Sequence, residues 1–412
     1  MSSALSCPTD AAASSWIPYG RQHITPEDVQ AVTAVLQSDW LTQGPAVEQF
    51  EKAVAEYCGA RFAVAVSSAT AGLHLACMAL DLTEEDWLWT TPNTFVASAN
   101  CGRYCGAQVD FVDIDPRTYT MDANLLAAKL AWAATQGRLP KVVVPVDFAG
   151  QPADWESLHA LSHQYGFHLI EDAAHAIGAQ YHGKPVGCGQ WAEMTVFSFH
   201  PVKIMTTGEG GMVLTNRRDL YERLLRLRTH GITRDTLRMY EDPDGPWYYE
   251  QLSLGYNYRM TDIQAALGCS QLQRLDALVQ RRGELAQRYN QALASLPLTG
   301  PWQRPESQSQ SAWHLYVVRL HLETIGIAKR VLVERLKAAG IGTQVHYIPV
   351  HTHPYYRQFG FNWGDFPESE RYYREALSLP LYVGLSDAQQ DFVIETLRAC
   401  LQPTQLKAAP ES

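Results

Sequence analysis

The sequence predicts an α/β fold: a large domain with a mostly parallel sheet, followed by a small C-terminal α+β domain. Three observations carry this. Between Arg61 and about Asn216, short apolar runs alternate with helical stretches, the pattern of a parallel sheet covered by helices. The run Lys141-Val-Val-Val-Pro-Val is apolar without alternation, as in a strand buried on both faces. Beyond a polar connection, 303–311, the order changes to strand, helix, strand and two helices.

The strands expected in the first region are Phe62–Val66, Trp87–Thr91, Gln108–Asp113, Lys141–Val146, Phe167–Glu171, Glu193–Phe199 and Gly211–Thr215, with a helix over Asp154–Tyr165 among those between them. Leu267, Leu272, Leu275, Leu278 and Leu285 recur at roughly helical spacing, which predicts one long helix from Thr261 to about Leu296. The C-terminal part reads as strand Trp313–Leu320, helix Ile327–Ala339, strand Gly342–Tyr347 and helices near Ser369–Leu377 and Asp387–Leu401. The expected organisation is a disordered tail over 1–15, a large α/β domain over 16–270, and a connecting helix with the small domain over 271–412. A chain of 412 residues is long enough for this, at about 150 residues per domain.

Composition narrows the function. Lys and Arg number 33 against 43 Asp and Glu, a net charge of −10, so no basic field is available for nucleic acid. Charged residues make up 18%, below the roughly 25% of an average soluble protein. Eight cysteines are scattered through apolar stretches with no C-x-x-C pair, which suits buried thiols better than a zinc ribbon or a disulfide framework. No window approaches about 18 consecutive apolar residues. Met1–Ser15 lacks the basic start and apolar centre of a signal peptide. The expectation is a cytoplasmic protein without a membrane partner.

The chemistry gathers at the expected carboxyl edge of the sheet, where ligands of open α/β sheets bind. Lys203 follows a buried strand in Phe197-Ser-Phe-His-Pro-Val-Lys203 and leads into Thr207-Gly-Glu-Gly-Gly211. There its surroundings can lower its pKa and free its neutral amine for a carbonyl. By itself it reads first as a solvated loop lysine, and the residues that follow change that. Asp172, in Leu169-Ile-Glu-Asp172-Ala-Ala-His175, ends another apolar strand on the same edge. A lysine for the aldehyde and a carboxylate for the pyridine nitrogen are what pyridoxal 5'-phosphate requires. The competing role for Asp172 is a helix N-cap. Ser67-Ser-Ala69-Thr70 follows the first strand and opens a helix, where exposed N–H groups suit a phosphate. Phe95, in Thr91-Pro-Asn-Thr-Phe95, could stack on an aromatic cofactor or simply fill the core.

With these residues in place, the sequence resembles the DegT/DnrJ/EryC1/StrS group of sugar aminotransferases, fold type I pyridoxal phosphate enzymes. Five blocks carry the resemblance in the family's order: Leu41-Thr-Gln-Gly-Pro45, Ser68-Ala-Thr70, Glu171-Asp-Ala-Ala-His175, Ser198–Lys203 with Thr207–Gly211, and Gly255-Tyr-Asn-Tyr-Arg-Met-Thr-Asp262. It runs from about Tyr19 to Leu401. It implies that Lys203 holds the cofactor and moves the proton, Asp172 binds the pyridine nitrogen, Phe95 covers the ring and His175 meets its hydroxyl side. Ala69, Thr70 and Ser198 would hold the phosphate. Asn257 would reach the neighbouring subunit's phosphate, in a homodimer with shared active sites. Two positions depart from the common pattern: Ala69 stands where many relatives have Gly, and His175 where many have Gln.

Within the family, Leu41–Pro45, Phe197–Gly211, Gln344-Val-His346-Tyr347-Ile-Pro349 and Ser378-Leu-Pro380 resemble the branch that aminates UDP-sugars in pseudaminic acid synthesis. The resemblance implies transfer from L-glutamate to carbon 4 of a UDP-linked 4-keto-6-deoxy-N-acetylhexosamine, with His346 and Tyr347 near the sugar. The alternatives are a 4-amino-arabinose or perosamine type of carbon-4 aminotransferase, or a sugar dehydratase, which resembles this family but replaces the lysine by histidine. No metal is expected: His346, His351 and His353 lack a closing carboxylate or thiol at workable spacing. The Gly208–Gly211 run lacks Walker or dinucleotide spacing.

Overall fold

The computed structural model describes residues 16–401, so the expected tail over 1–15 lies outside the described residues. Seven strands form the central sheet: β1 Phe62–Val66, β2 Trp87–Thr90, β3 Gln108–Phe111, β4 Val142–Val144, β5 His168–Asp172, β6 Met194–Ser198 and β7 Gly211–Thr215. Their order is β1-β7-β6-β5-β4-β2-β3. All seven lie where the sequence predicts them, with ends differing by up to two residues; β5 runs one residue further, to Asp172. The pairs β2–β3, β2–β4, β4–β5 and β5–β6 are parallel, while β7 runs antiparallel to β1 and β6.

Alternation of side chains builds a layer on each face. Helices α1 (Pro26–Leu36) and α2 (Pro45–Cys58) precede α3 (Ala69–Ala79), and Val64, Val66, Val142, Val144, Ile170 and Val196 pack on Leu73 and Leu75 of α3. On the other face, Val143 and Leu169 meet Trp155 and Leu158, while Ala65, Phe197 and Leu214 meet Phe50 and Val54. Each such aliphatic side chain, buried fully, stabilises the fold by roughly 1.5–3 kcal/mol. The register sets the site: Asp172 pairs with Val196 across β5 and β6, and Ser198 and Val66 both pair with Gly211. The carboxyl ends of β1, β5 and β6 therefore share one edge.

A second sheet is antiparallel, in the order β8 (Leu298–Thr299), β9 (Tyr316–Leu320), β10 (Ala376–Leu379). It packs with helices Leu275–Leu293, Lys329–Ala338 and Asp387–Leu401 around Leu285, Tyr289, Leu332, Leu336, Val393 and Leu397.

Three expected elements differ. The long helix from Thr261 is two helices, Asp262–Leu272 and Leu275–Leu293. Arg274 leaves the helical path between them so that its guanidinium reaches the fully buried Asp28 at 2.7 Å, beside Gln271 Nε2 at 2.6 Å. A buried carboxylate needs such partners, and that requirement overrides helix propensity. The stretch Gly342–Tyr347 is not a strand: only Gln344 bridges to Ser378 before the chain turns inward. The helix expected over Ser369–Leu377 is Pro367–Glu375, and Ala376–Leu379 instead continues as β10, paired residue by residue with β9. Local helical pattern yields there to a tertiary ladder.

Among the described residues no helix is long and apolar enough to cross a membrane.

Candidate active site

A cavity of about 550 Å³ opens at the carboxyl edge of the sheet. Ala69, Thr70, Phe95, Asp172, His175, Ser198, Lys203, His346 and Tyr347 all line it. Asn257 does not; it is exposed on the surface, its backbone bridged to Thr229.

Lys203 is held by the loop between β6 and β7. Its N–H donates to His200 O at 2.9 Å, and the loop is closed by Thr207 N–H to Phe199 O (3.0 Å) and Phe199 N–H to Gly210 O (2.9 Å). Thr206 and Thr207 brace it with their hydroxyls, on Phe199 O (2.9 Å) and Glu209 O (2.6 Å). Dehydration of its amine lowers the Lys203 pKa to about 8, against the opposing pull of Asp172.

Asp172 is 4% exposed. Burial raises its pKa, and three neighbours oppose that: Ser98, the Ala174 amide and Lys203. Ser98 Oγ–H donates to Oδ2 at 2.6 Å and Ala174 N–H to Oδ1 at 3.1 Å. Asp172 caps no helix, since residues 174–178 form a turn. Each carboxylate oxygen keeps acceptor capacity for a ligand.

His175 is neutral, its pKa held well below the usual range by burial and by Lys203 and His346. Its Nδ1 accepts the Ala149 N–H at 3.2 Å, so the proton sits on Nε2, which meets Tyr347 Oη at 3.1 Å. His346 lies nearby, its Nδ1 2.8 Å from Ser378 Oγ, and burial lowers its pKa to about 3.

At the opposite end Ser68 caps helix α3, accepting Ala71 N–H at 3.1 Å. Ala69 and Thr70 are the first two residues of that helix. Ala69 lies outside the positive-φ residues, so alanine fits where many relatives carry glycine. Strand β7 passes directly beneath: a Cβ on Gly211 would stand 2.6 Å from Ala69 N. Phe95 is 57% exposed, its ring centroid 6.1 Å from that of Tyr347.

The donor set fits pyridoxal phosphate: N–H groups of a helix start with Thr70 and Ser198 hydroxyls for the phosphate, an amine of lowered pKa, a buried carboxylate, and Phe95, Ala97, Val146 and Ala174 as apolar walls.

Ser98 and His314 are among the lining or supporting residues that the sequence did not expose. Ser98 stands three residues after Phe95, one helical turn on, a spacing that could have exposed it. His314, buried in the cavity wall, sits in Trp313-His-Leu-Tyr at the entry to β9, with no local signal. The histidines weighed for a metal separate: His346 faces the cavity, while His351 pairs with Glu370 at 3.1 Å. Among the described residues no three His, Cys, Asp or Glu side chains come together as a metal site.

Fold and cavity together are those of a fold type I, pyridoxal phosphate-dependent aminotransferase. The chain belongs to the DegT/DnrJ/EryC1/StrS aminotransferase family, whose model matches residues 22–398. It is 42% identical over 386 residues to SpsC of Bacillus subtilis, a spore coat polysaccharide biosynthesis protein, covering 93% of this chain and 96% of SpsC. Among solved structures it is similar to PseC of Helicobacter pylori, an aminotransferase involved in pseudaminic acid biosynthesis, with TM-score 0.84, 31% identity, and 94% and 99% of the two chains covered. It is also similar to the pyridoxal phosphate form of Spr1654 of Streptococcus pneumoniae, a candidate sugar aminotransferase, with TM-score 0.83, 30% identity, and 94% and 98% covered.

Proposed function

We propose that this sugar aminotransferase moves an amino group from L-glutamate to carbon 4 of a UDP-linked 4-keto-6-deoxy-N-acetylhexosamine. The observation that carries the reading is the pairing of Lys203 with Asp172 in one cavity, the lysine amine lowered to about 8 and the carboxylate doubly hydrogen-bonded. PseC acts in pseudaminic acid biosynthesis, and the motif blocks shared with that branch support the same substrate class here.

The cofactor supplies an aldehyde for the amino group and a ring that accepts electrons from the carbon losing its proton. The chain's residues supply the rest. Lys203 Nζ would hold the cofactor, and its free amine would be the group that takes up and returns the proton of the reacting substrate carbon. Ionised Asp172 keeps the pyridine nitrogen protonated. Neutral His175 offers Nε2–H toward the ring's hydroxyl side, in company with Tyr347 Oη. Ala69, Thr70 and Ser198 would anchor the phosphate, and Phe95 would cover the ring. His346 and Tyr347 contact the sugar.

The proposal includes a homodimer in which Asn257 completes the partner's phosphate site. Its exposure outside the cavity supports that arrangement, and so does the lining itself, which holds Lys203 and no arginine although both substrates are anionic. The proposal also includes a large domain over 16–270, a connecting helix with a small domain over 271–412, and a cytoplasmic setting. Seven described cysteines are free thiols, in keeping with a reducing compartment.

Assay of the purified protein with L-glutamate and a panel of UDP-, GDP- and dTDP-linked 4-keto sugars tests the reading. Preference for the UDP-linked N-acetyl sugar is expected. Turnover confined to a pentose or a GDP-sugar would transfer the assignment to the 4-amino-arabinose or perosamine type.

A further inference from the structure

His314 and Arg282 have no part in the roles above: His314 lines the cavity, and Arg282 is buried behind it against the backbone of Trp313 and His314. His314 is 4% exposed, lines the cavity, and its ring centroid lies 4.3 Å from that of His175. Its Nδ1 is sealed from solvent and has no hydrogen-bond partner. The imidazole is neutral, held well below its usual pKa by burial and by His175, Lys203, Arg282 and His346. A proton on Nδ1 would be an orphaned buried N–H, the rarer and costlier kind of unpaired group. The proton therefore sits on Nε2, at the ring edge left to face the cavity.

The backbone carrying this ring is fixed from two sides. Arg282, 1% exposed, donates from Nη1 to the carbonyls of Trp313 (3.3 Å), His314 (3.2 Å) and Leu381 (3.1 Å). On the other side, Ala312 N–H donates to Gly150 O at 2.9 Å and Leu315 N–H to Ala149 O at 3.3 Å. Gly150 has φ +98°, and a Cβ there would stand 2.8 Å from Trp313 N. The same 149–150 segment donates the Ala149 N–H to His175. One short loop thus sets both imidazoles.

We propose that His314 donates Nε2–H to a substrate oxygen, either a carboxylate of the amino donor or an oxygen of the acceptor sugar, and that Arg282 is the positioning residue for its ring. This rests on the aminotransferase reading above. The donor is uncharged, so it contributes direction rather than net charge, and it discriminates by the penalty of leaving a buried N–H unpaired.

The test follows the two half-reactions of the holoenzyme separately by absorbance: L-glutamate alone, then the aminated enzyme with the 4-keto sugar. Cofactor affinity of the apoenzyme is measured alongside by fluorescence titration. His314→Leu should hold the cofactor within about 3-fold of wild type while losing about 30-fold in kcat/KM for one half-reaction, mostly in KM. The half-reaction affected identifies the oxygen as carboxylate or sugar. His314→Gln, which restores an N–H, should recover about 10-fold of that loss, and Arg282→Met should raise the same KM. Near-wild-type kcat/KM for His314→Leu in both half-reactions would overturn the proposal. Should His314→Leu not fold, His314→Asn takes its place, with the same loss expected and wild-type rates equally fatal. A wild type inert to glutamate and to every sugar would fell the aminotransferase reading instead, and this inference with it.

Discussion

Ser98 Oγ stands 2.6 Å from Asp172 Oδ2 and donates to it, inside a wall that leaves the carboxylate 4% exposed. Burial pushes the carboxyl pKa up, and Ser98 is first among the neighbours that hold it down. Ser98→Ala should therefore raise the Asp172 pKa further. A lost hydrogen bond to a charged group costs about 1.5–3 kcal/mol, so cofactor affinity in an apoenzyme titration should fall roughly 10-fold or more. The acid limb of the kcat/KM profile should move to higher pH, since the carboxylate would protonate sooner on acidification.

Lys203 gives a second pH dependence. With a pKa lowered to about 8, its amine is neutral above that pH and protonated below it. At pH 7 about a tenth is neutral, against less than a thousandth for an ordinary lysine. Recapture of pyridoxal phosphate by the apoenzyme should accelerate as pH rises and level off above about 8. Asp172→Asn removes the group that raises this pKa, so its midpoint should shift to lower pH. A midpoint near 10 in the wild type would contradict the burial account.

Gly211 lies under the first turn of α3, at the proposed phosphate end of the cavity. A Cβ there would meet Ala69 N and Ser68 C at 2.6 Å, and both are backbone atoms with no rotamer to yield. Gly211→Ala should destabilise by about 1–3 kcal/mol in urea unfolding and weaken cofactor binding, because the first turn of α3 must move.

Two of the sequence blocks prove to be one structure. Asp262 Oδ2 accepts Gly44 N–H at 2.8 Å and Oδ1 accepts Ala46 N–H at 2.9 Å, so the acid of Gly255–Asp262 caps helix α2 (Pro45–Cys58) of the Leu41–Pro45 block. Asp262→Ala leaves two amides unpaired and should cost about 2–3 kcal/mol of stability, while Asp262→Asn should retain part of it. Equal stability of Asp262→Ala and wild type would refute the cap.

The central sheet was legible because its seven strands are apolar runs bounded by turns, and because Lys203, Asp172 and Ser68–Thr70 sit where such strands end. What could not be read locally was decided by distant partners. Asp28 breaks the helix at Arg274, and β9 draws Ala376–Leu379 out of a helical pattern into a ladder. His314 reached the cavity through contacts of the 149–150 loop, far away in sequence, and Ser98 showed only as one turn beyond Phe95. The position of Asn257, outside the cavity of its own chain, bears on the low charge content: the proposed subunit interface is a surface that low charge would suit.

In the proposed function, Lys203 and Asp172 carry amino transfer to carbon 4 of a nucleotide sugar. The direct measurement supplies the holoenzyme with ¹⁵N-labelled L-glutamate and the UDP-linked 4-keto-6-deoxy-N-acetylhexosamine, and locates the label in the product by nuclear magnetic resonance. The predicted result is ¹⁵N at carbon 4 with one equivalent of 2-oxoglutarate, abolished in Lys203→Ala together with the absorbance of the lysine-bound cofactor. Label at another carbon, or near-normal transfer by Lys203→Ala, would contradict it.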